Sequence, residues 1–306
     1  MWIVRGLESY PPDSRPSVVA LGAFDGVHLA HQAILATAVG RARDLGLPAV
    51  ACTFDPHPMD VLQPGRAPSP ITTMDERLDL IRASGVDGTI IVPFTKDTAA
   101  IEPEAFVKDI LLARLGAREI VVGFNHTFGR AARGNAALLE SLAPRLGFTS
   151  HVVPPLTVDG EPVSSSIIRA ALQRGDVEYA ARLLGRPYAI AGEVVQGAGR
   201  GRTLGFPTAN VQSDKPVLIA TGVYVCRTEL DGRGRNAVVN VGVRPTFGEQ
   251  SLAIEAYVLD FSGDLYGRRM RLSFVRRLRG EMKFPSVDAL REQIARDVET
   301  ARGSGA

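Results

Sequence analysis

The spacing of hydrophobic positions changes near residue 185, and the two patterns predict two different folds. Before that point, short continuous apolar runs alternate with segments whose apolar residues recur every three or four positions, as in buried parallel strands and helices. The predicted strands are residues 17–24, 47–54, 89–94, 119–123 and 151–153, and the predicted helices are residues 31–45, 103–115, 136–146, 164–173 and 177–184. This alternation predicts a Rossmann-like α/β domain built on a mainly parallel sheet.

After Gly185 the chain is dominated by short β-rich runs, several of which alternate apolar and polar residues. The predicted strands are residues 189–195, 222–230, 236–241, 253–260 and 269–278, and an amphipathic helix covers residues 286–300, with Ser286 as its N-cap. Asp231-Gly232 is a typical hairpin turn. We therefore expect a small antiparallel β-barrel with a terminal helix, and two domains at residues 1–184 and 185–306.

The composition of the chain excludes some classes of protein but does not indicate a function. The chain of 306 residues carries 35 Lys and Arg against 33 Asp and Glu, a balance that does not favour general nucleic-acid binding. No apolar run reaches the ~18 residues of a membrane helix, and the N-terminus has no basic, apolar leader. We therefore expect a cytoplasmic protein without a membrane partner. Cys52 and Cys226 lie in apolar runs of different halves, which indicates buried reduced thiols rather than a disulfide.

A first candidate site follows the first predicted strand. Gly22 and Gly26 bracket a strand-to-helix turn, and His28 and His31 share one face at the start of the helix. Backbone N–H groups and the helix dipole favour an anion there, and two imidazoles could donate hydrogen bonds to phosphate oxygens. Two other interpretations stay open from spacing alone: a tight turn with two solvent-facing histidines, and a His-x-x-His metal pair that lacks a third ligand.

A second candidate site lies at the start of the β-rich half. Thr208 and Asn210 follow Pro207 and offer hard oxygen ligands, which suit Mg²⁺ when nucleotide phosphates complete its shell. Glycines before them, including Gly199 and Gly205, allow a phosphate to approach the backbone. The chain has no Walker sequence, so this is not a P-loop kinase.

Glu255 stands alone as a charged residue in the apolar run 253–258. A kinase needs a group that accepts the proton of the substrate hydroxyl, and a carboxylate lining the site could do so. The alternative is that Glu255 points to solvent from an edge strand.

Five motifs in order resemble the bacterial bifunctional riboflavin kinase/FMN adenylyltransferase (FAD synthetase) family over nearly the whole chain. The motifs are Phe24-Asp25-Gly26-Val27-His28 with His31, residues 53–58, residues 122–125 with 128–129, residues 164–169 and residues 205–210. The resemblance implies that ATP phosphorylates riboflavin to FMN in the C-terminal domain, and that a second ATP adenylylates FMN to FAD in the N-terminal domain. It implies Mg²⁺ as cofactor.

The same resemblance assigns residues to each reaction. In the N-terminal domain it implies one set for ATP, namely Gly22, Phe24, His28, His31, Ser164, Ser165 and Arg169, and a weaker assignment of Asp55 and Asn125 to the flavin. In the C-terminal domain it implies Glu255 as the base and a set for ATP and Mg²⁺, namely Gly199, Gly205, Pro207, Thr208 and Asn210. Arg279, Glu281 and Phe284 would contact the flavin. Without the resemblance, Arg169 reads as a surface helix residue and residues 279–284 as a solvated charge cluster.

Three positions depart from the family pattern: Ala30 stands for glycine between the two histidines, Asn125 for aspartate and Ser166 for threonine. Ala30 and Asn125 leave open a kinase whose N-terminal domain no longer acts, and a second alternative is a flavin-binding regulator without turnover. The intact site residues argue against both alternatives, namely His28, His31, Thr208, Asn210 and Glu255. Riboflavin, FMN, FAD and ATP are the expected partners, and the sequence leaves a homo-oligomer open.

Overall fold

A computed structural model describes residues 1–10, 16–197, 200–246 and 249–303, and the chain divides into two compact units, Met1–Ser165 and Ser166–Ala306. Within the described residues no helix is long and apolar enough to span a membrane. Both cysteines are buried free thiols, as predicted.

The first unit is built on a parallel sheet of six strands, which confirms the predicted fold class. The strands are β1 (Trp2–Arg5), β2 (Ser17–Leu21), β3 (Ala49–Asp55), β4 (Gly88–Pro93), β5 (Ala117–Gly123) and β8 (Thr149–Val153). Their order across the sheet is β1-β4-β3-β2-β5-β8. The central strands are buried along nearly their whole length because helices cover both faces.

The helices of this unit are α1 (Leu29–Leu45), α2 (Pro58–Leu62), α3 (Met74–Ala83), α4 (Lys96–Ala100), α5 (Pro103–Ala105) and α6 (Ala136–Leu146). Helix α1 ends at Gly46, whose left-handed conformation (φ 63°) is the predicted stop. The segment predicted as one helix over residues 103–115 differs from expectation, since α5 continues as a π-helix at Phe106–Arg114. Short two-residue strands, β6 (Thr127–Phe128) with β7 (Gly134–Asn135) and β9 (Thr157–Val158) with β10 (Glu161–Pro162), form two small hairpins.

The second unit is a closed antiparallel barrel with a C-terminal helix, again as predicted. Its strands are β11 (Ala189–Val195), β12 (Ala209–Ser213), β13 (Gly222–Leu230), β14 (Arg233–Thr246), β15 (Glu249–Val258) and β16 (Arg269–Arg279). They close in the order β11-β12-β15-β14-β13-β16. The hairpin turn at Asp231 and Gly232 has both residues at positive φ, 53° and 71°.

Helices of the second unit are α7 (Ser165–Arg174), α8 (Val177–Leu184), the short α9 (Arg200–Thr203) and α10 (Val287–Gly303). Ser286 caps α10 as expected, because its hydroxyl accepts a hydrogen bond of 3.1 Å from the Ala289 N–H. Val298 and Ala301 of α10 pack on outward-facing valines of β13 and β14. The barrel therefore has an apolar interior and one outer face that α10 partly covers.

Candidate functional site

The first site lies at the position in the parallel sheet where the order of the strands reverses. Strand β2 has β3 on one side and β5 on the other. The chain passes from β2 to β3 and β4 on the first side and then crosses to β5 and β8 on the second. The loop after β2 therefore opens into a crevice at the carboxyl ends of the strands, the usual ligand position in such sheets. Asp55 ends β3 and Asn125 follows β5, so the structure places both on this edge, one on each side of β2. Both side chains are exposed.

The loop from Gly22 to His28 is held in a strained shape. Phe24 and Val27 have positive φ values of 52° and 37°, which non-glycine residues rarely adopt, and Gly26 has φ 81°. Phe24 is fully buried, and its ring lies edge-on against His31 at 5.4 Å between centroids. Phe24 thus packs against His31 inside the protein rather than presenting its ring to solvent.

Asp25 fixes this shape from inside the protein. Its carboxylate is 2% exposed and accepts hydrogen bonds from the backbone N–H groups of Ile71 and Thr72 at 3.0–3.1 Å. The Thr72 hydroxyl donates to the same carboxylate and accepts from the Gly26 N–H, each at 3.1 Å. Buried Arg77 of α3 is 3.6 Å away. We call these contacts of Asp25 with Ile71, Thr72 and Arg77 the brace. Sequence analysis missed the brace, because nothing in the spacing links Asp25 to residues some fifty positions later.

His28 and His31 stack face to face, with ring centroids 3.6 Å apart and planes 16° apart. His28 caps α1, and its Nδ1 accepts a hydrogen bond from the His31 N–H, so a neutral His28 carries its proton on Nε2, as a phosphate donor should. His28 is 4% exposed, so the interpretation of two solvent-facing histidines is wrong. Among the described residues no group of three His, Cys, Asp or Glu could hold a metal, which gives the His-x-x-His metal pair no third ligand.

The pKa of His31 lies well below its usual value, first because burial disfavours the charged ring and then because His28, Arg77 and His126 repel a second positive charge. His31 is therefore a neutral imidazole at neutral pH. His126, which sequence analysis did not single out, has a pKa lowered to about 4 by burial. Its ring stacks on Phe128, with 6.0 Å between centroids.

The segment before α7 joins this loop. Ser164 directly precedes the helix, and the hydroxyl of Ser165 donates a hydrogen bond of 3.1 Å to the backbone carbonyl of Asp25. Arg169 follows one helical turn later and is 9% exposed, so it is not the surface residue that the pattern alone suggests. Ala30 lies in the first turn of α1 with ordinary helical backbone, so its methyl causes no strain of φ.

The second site is a row of side chains across three barrel strands. Asn210 of β12 pairs with Glu255 of β15, and Glu255 pairs in turn with Asn240 of β14. Directly paired residues of antiparallel strands point to the same face and lie about 4.5–5.5 Å apart at Cβ. Glu255 is half-buried between two strands, so the edge-strand interpretation is wrong.

This row lies on the outer face of the barrel. Val238 and Tyr257, which belong to the same face, pack in the cluster that includes α10. Ile254 and Ala256 are buried on the opposite face, toward the barrel interior. The outer face thus combines a carboxylate with two amides beside an apolar patch.

Two glycines leave room beside the predicted metal ligands. A Cβ on Gly197 would lie 2.0 Å from the side-chain nitrogen of Asn210, and one on Gly201 would lie 3.0 Å from the Thr208 hydroxyl. A side chain at either position would collide with its neighbours, so the glycines let Asn210 and Thr208 lie directly against the backbone. The oxygen atoms of these two side chains are ligands that fit a magnesium–nucleotide complex. Gly205 has φ 86° and is exposed. Gly199 lies outside the described residues.

A pocket of about 570 Å³ adjoins Pro207 and Thr208. Its other walls are inward-facing barrel side chains and the loop between β15 and β16, namely Val194, Ala209, Ala256, Val258 and residues 261–266. Its apolar wall and the neighbouring Thr208 hydroxyl suit a flat base that continues into phosphates.

Arg279 has a structural partner that sequence analysis missed. Its guanidinium is bonded to the buried Asp297 of α10, with the closest contact at 2.8 Å, and lies 5.7 Å from the centre of the Phe284 ring. The exposed Glu281 carboxylate instead lies over Gly242, next to Asn240, because a Cβ on Gly242 would be 2.9 Å from its Oε1.

Comparisons with known proteins match the N-terminal and C-terminal parts of the chain to two different families. A family model for FAD synthetase matches residues 10–167, and one for riboflavin kinase matches residues 184–304. A bifunctional riboflavin kinase/FMN adenylyltransferase of Pseudomonas fluorescens is 38% identical over 100% of this chain and 98% of that relative. The chain belongs to the bifunctional riboflavin kinase/FMN adenylyltransferase family.

A second family member, from Escherichia coli K12, is 35% identical over 99% of this chain and 97% of its own. A crystal structure of a Streptococcus pneumoniae protein described as a macrolide-efflux protein superposes with a TM-score of 0.92 at 32% identity, covering 100% of both chains. In this family an FAD synthetase domain precedes a riboflavin kinase domain, and the parallel sheet and the barrel of this chain occupy those two positions.

Proposed function

We propose that this chain makes FAD from riboflavin in two ATP-dependent steps, and that the two sites described above carry one step each. The observation that carries the proposal is the row Asn210–Glu255–Asn240 on the barrel together with the stacked His28 and His31 on the sheet. Each site brings together side chains that its reaction needs.

In the kinase step, the Glu255 carboxylate accepts the proton of the terminal ribityl hydroxyl as that oxygen attacks the γ-phosphorus of ATP. Thr208 and Asn210 would hold Mg²⁺, which neutralises phosphate charge when bound. Pro207 and Thr208 would place the nucleotide in the neighbouring pocket, and the exposed backbone at Gly205 would admit the phosphates. The family resemblance adds Gly199 to this set. Arg279 and Phe284, beside Asp297, would border the flavin.

In the adenylyltransferase step, the FMN phosphate attacks the α-phosphorus of ATP and pyrophosphate leaves. No covalent enzyme intermediate is needed, because positioning and charge stabilisation supply the catalysis. Gly22, Phe24 and the loop that they begin would border the ATP phosphates, and His28 would donate from Nε2. The helix start at Ser164 and Ser165, with Arg169 a turn later, would bind the triphosphate. Asp55 and Asn125 flank the crevice where the flavin would lie.

The deciding experiment incubates the full chain with riboflavin, ATP and Mg²⁺ and separates the flavins by chromatography. We expect FAD. Accumulation of FMN alone would mean a kinase whose first domain does not act, and riboflavin bound without turnover would mean a flavin-binding regulator.

Glu255→Gln should lower FMN formation by ~10²–10⁴-fold and leave FAD formation from supplied FMN unchanged, because the swap keeps the shape and removes the base. Glu229→Gln, on an exposed position of β13, is the matched control. His31→Ala should show the opposite split, with slower adenylyl transfer and an intact kinase. An unchanged kinase rate in Glu255→Gln would contradict the assignment.

Three finer points belong to the same proposal. The adenylyltransferase domain covers residues 1–184 and the kinase domain residues 185–306. The enzyme requires Mg²⁺, which a chelator titration tests. It acts in the cytoplasm, which cell fractionation tests.

A further inference from the structure

Asn240 has no role in the two reactions as described so far, yet it occupies a central position in the kinase site. It is half-buried, and strand register places it directly opposite Glu255, on the side away from Asn210. Its side chain therefore lies next to the proposed base on the same outer face of the barrel.

The glycine two residues further along β14 explains what the Asn240 amide faces. A Cβ built on Gly242 would lie 3.3 Å from Nδ2 of Asn240 and 2.9 Å from Oε1 of Glu281. An amide and a carboxylate thus converge on one point above a backbone that has no side chain. Any larger residue at position 242 would push them apart.

The chemistry of this pair selects a particular ligand group. An amide N–H only donates, and an ionised carboxylate only accepts, whereas a hydroxyl can accept from the first and donate to the second at the same time. The distance also fits a polyol, because two residues along a strand advance about 6.8 Å, comparable with an extended five-carbon chain. One end of such a chain would reach Glu255 while its other hydroxyls extended toward Gly242.

We propose that Asn240, Gly242 and Glu281 bind the secondary hydroxyls of the ribityl chain and thereby place the terminal hydroxyl at Glu255. This inference rests on the proposed kinase function and deepens it. It makes Asn240 a substrate-binding residue, and it assigns Glu281 to the sugar-like chain rather than to the flavin ring.

The test compares two flavins at the kinase site, using the full chain and Mg-ATP. Riboflavin carries the ribityl chain, and lumiflavin has a methyl group in its place. The KM for riboflavin and the inhibition constant of lumiflavin are both measured through FMN formation, so flavin bound to the other domain does not contribute.

In Asn240→Ala we expect the KM for riboflavin to rise about tenfold, the effect of one lost hydrogen bond and an unsatisfied partner, with the lumiflavin constant unchanged. Gly242→Ala should act in the same direction by filling the gap. Asn236→Ala is the matched control on β14, because its amide donates to the backbone of α10 at Ala301 and its loss should leave both constants unchanged.

An unchanged KM for riboflavin in both variants, or a parallel rise of KM and lumiflavin constant, would overturn the inference, since either result means that the ribityl chain is not what Asn240 binds. A wild-type chain that forms no FMN would overturn the proposed function and this inference together. The two failures are therefore distinguishable in one set of assays.

Discussion

The imidazole of His126 gives the first site a pH dependence that can be measured. Its pKa is about 4 in the folded protein, below the ordinary value of 6.5, because burial penalises the charged ring. The neutral ring thus contributes stability that is complete above pH 6.5 and is lost as the pH falls toward 4. The loss is roughly 1.4 kcal/mol per pH unit, or about 2 kcal/mol at pH 5.

We expect His126→Phe, which keeps a ring against Phe128, to remove this loss. Urea unfolding at pH 7 and pH 5, followed by tryptophan fluorescence, measures it, since the single tryptophan of the chain, Trp2, belongs to the first unit. If the variant loses as much stability as wild type between the two pH values, burial of His126 is not the cause.

At the scale of single residues, the sequence predicts those contacts that depend only on the spacing of neighbouring residues. The three-residue spacing of His28 and His31 predicts a shared face, and the structure confirms it with stacked rings. The sequence could not predict the burial of His28, because the residues that hold its loop in place through Asp25, namely Ile71, Thr72 and Arg77, come from another part of the chain. The position of Asn240 could not be predicted either, because only the strand register brings it beside Glu255.

At the scale of elements, the loop from Gly22 to His28 depends on one buried carboxylate. Asp25→Asn exchanges an acceptor for an amide nitrogen that faces N–H donors, and it leaves the Arg77 guanidinium buried without this carboxylate. Breaking a buried pair in this way typically costs about 3–5 kcal/mol. We expect a lower midpoint of unfolding by Trp2 fluorescence and slow adenylyl transfer, with kinase activity unchanged.

Asp109→Asn, on an exposed position of the π-helix, is the control and should behave as wild type. Kinase and adenylyl transfer falling together in Asp25→Asn would show that the brace serves the whole chain rather than the first site.

Elements with clear end signals were predicted with the correct bounds. Helix α6 begins after Asn135, whose side chain caps it, and ends at Gly147 with φ 75°. Helix α3 was not predicted, although Thr73 and Glu76 form a capping box that the sequence displays. The π-helix could not be predicted, because its apolar spacing reads as an ordinary helix. Strand β12 is short and largely polar, so its pattern is weak.

At the scale of the whole molecule, helices α7 and α8 belong to the compact unit of the barrel. Helix α8 packs on β16 with four fully buried side chains, namely Val177, Ala180, Leu183 and Leu184. The Leu172 carbonyl of α7 accepts a hydrogen bond of 3.0 Å from the Ala220 N–H, and the Arg174 carbonyl accepts one of 3.0 Å from Arg277.

Two fragments test what these helices contribute. We expect residues 166–306 to fold alone and phosphorylate riboflavin, and residues 185–306 to be less stable by several kcal/mol because burial of the α8 side chains is lost. Thermal unfolding by circular dichroism and FMN formation are the measurements. Equal stability of the two fragments would show that α7 and α8 add nothing to the barrel, and a folded longer fragment without kinase activity would place part of the kinase site before residue 166.

The register of β12, β14 and β15 also limits how this protein can change during evolution. Insertion of one residue within β15 before Ile254 would turn the Glu255 carboxylate toward the barrel interior and bring Ile254 into the row of Asn210 and Asn240. Point substitutions on this face alter one contact, whereas a change of length within a strand replaces the whole row at once. Insertions and deletions should therefore be confined to turns such as Asp231-Gly232, while the strand segments that carry the site keep a fixed number of residues.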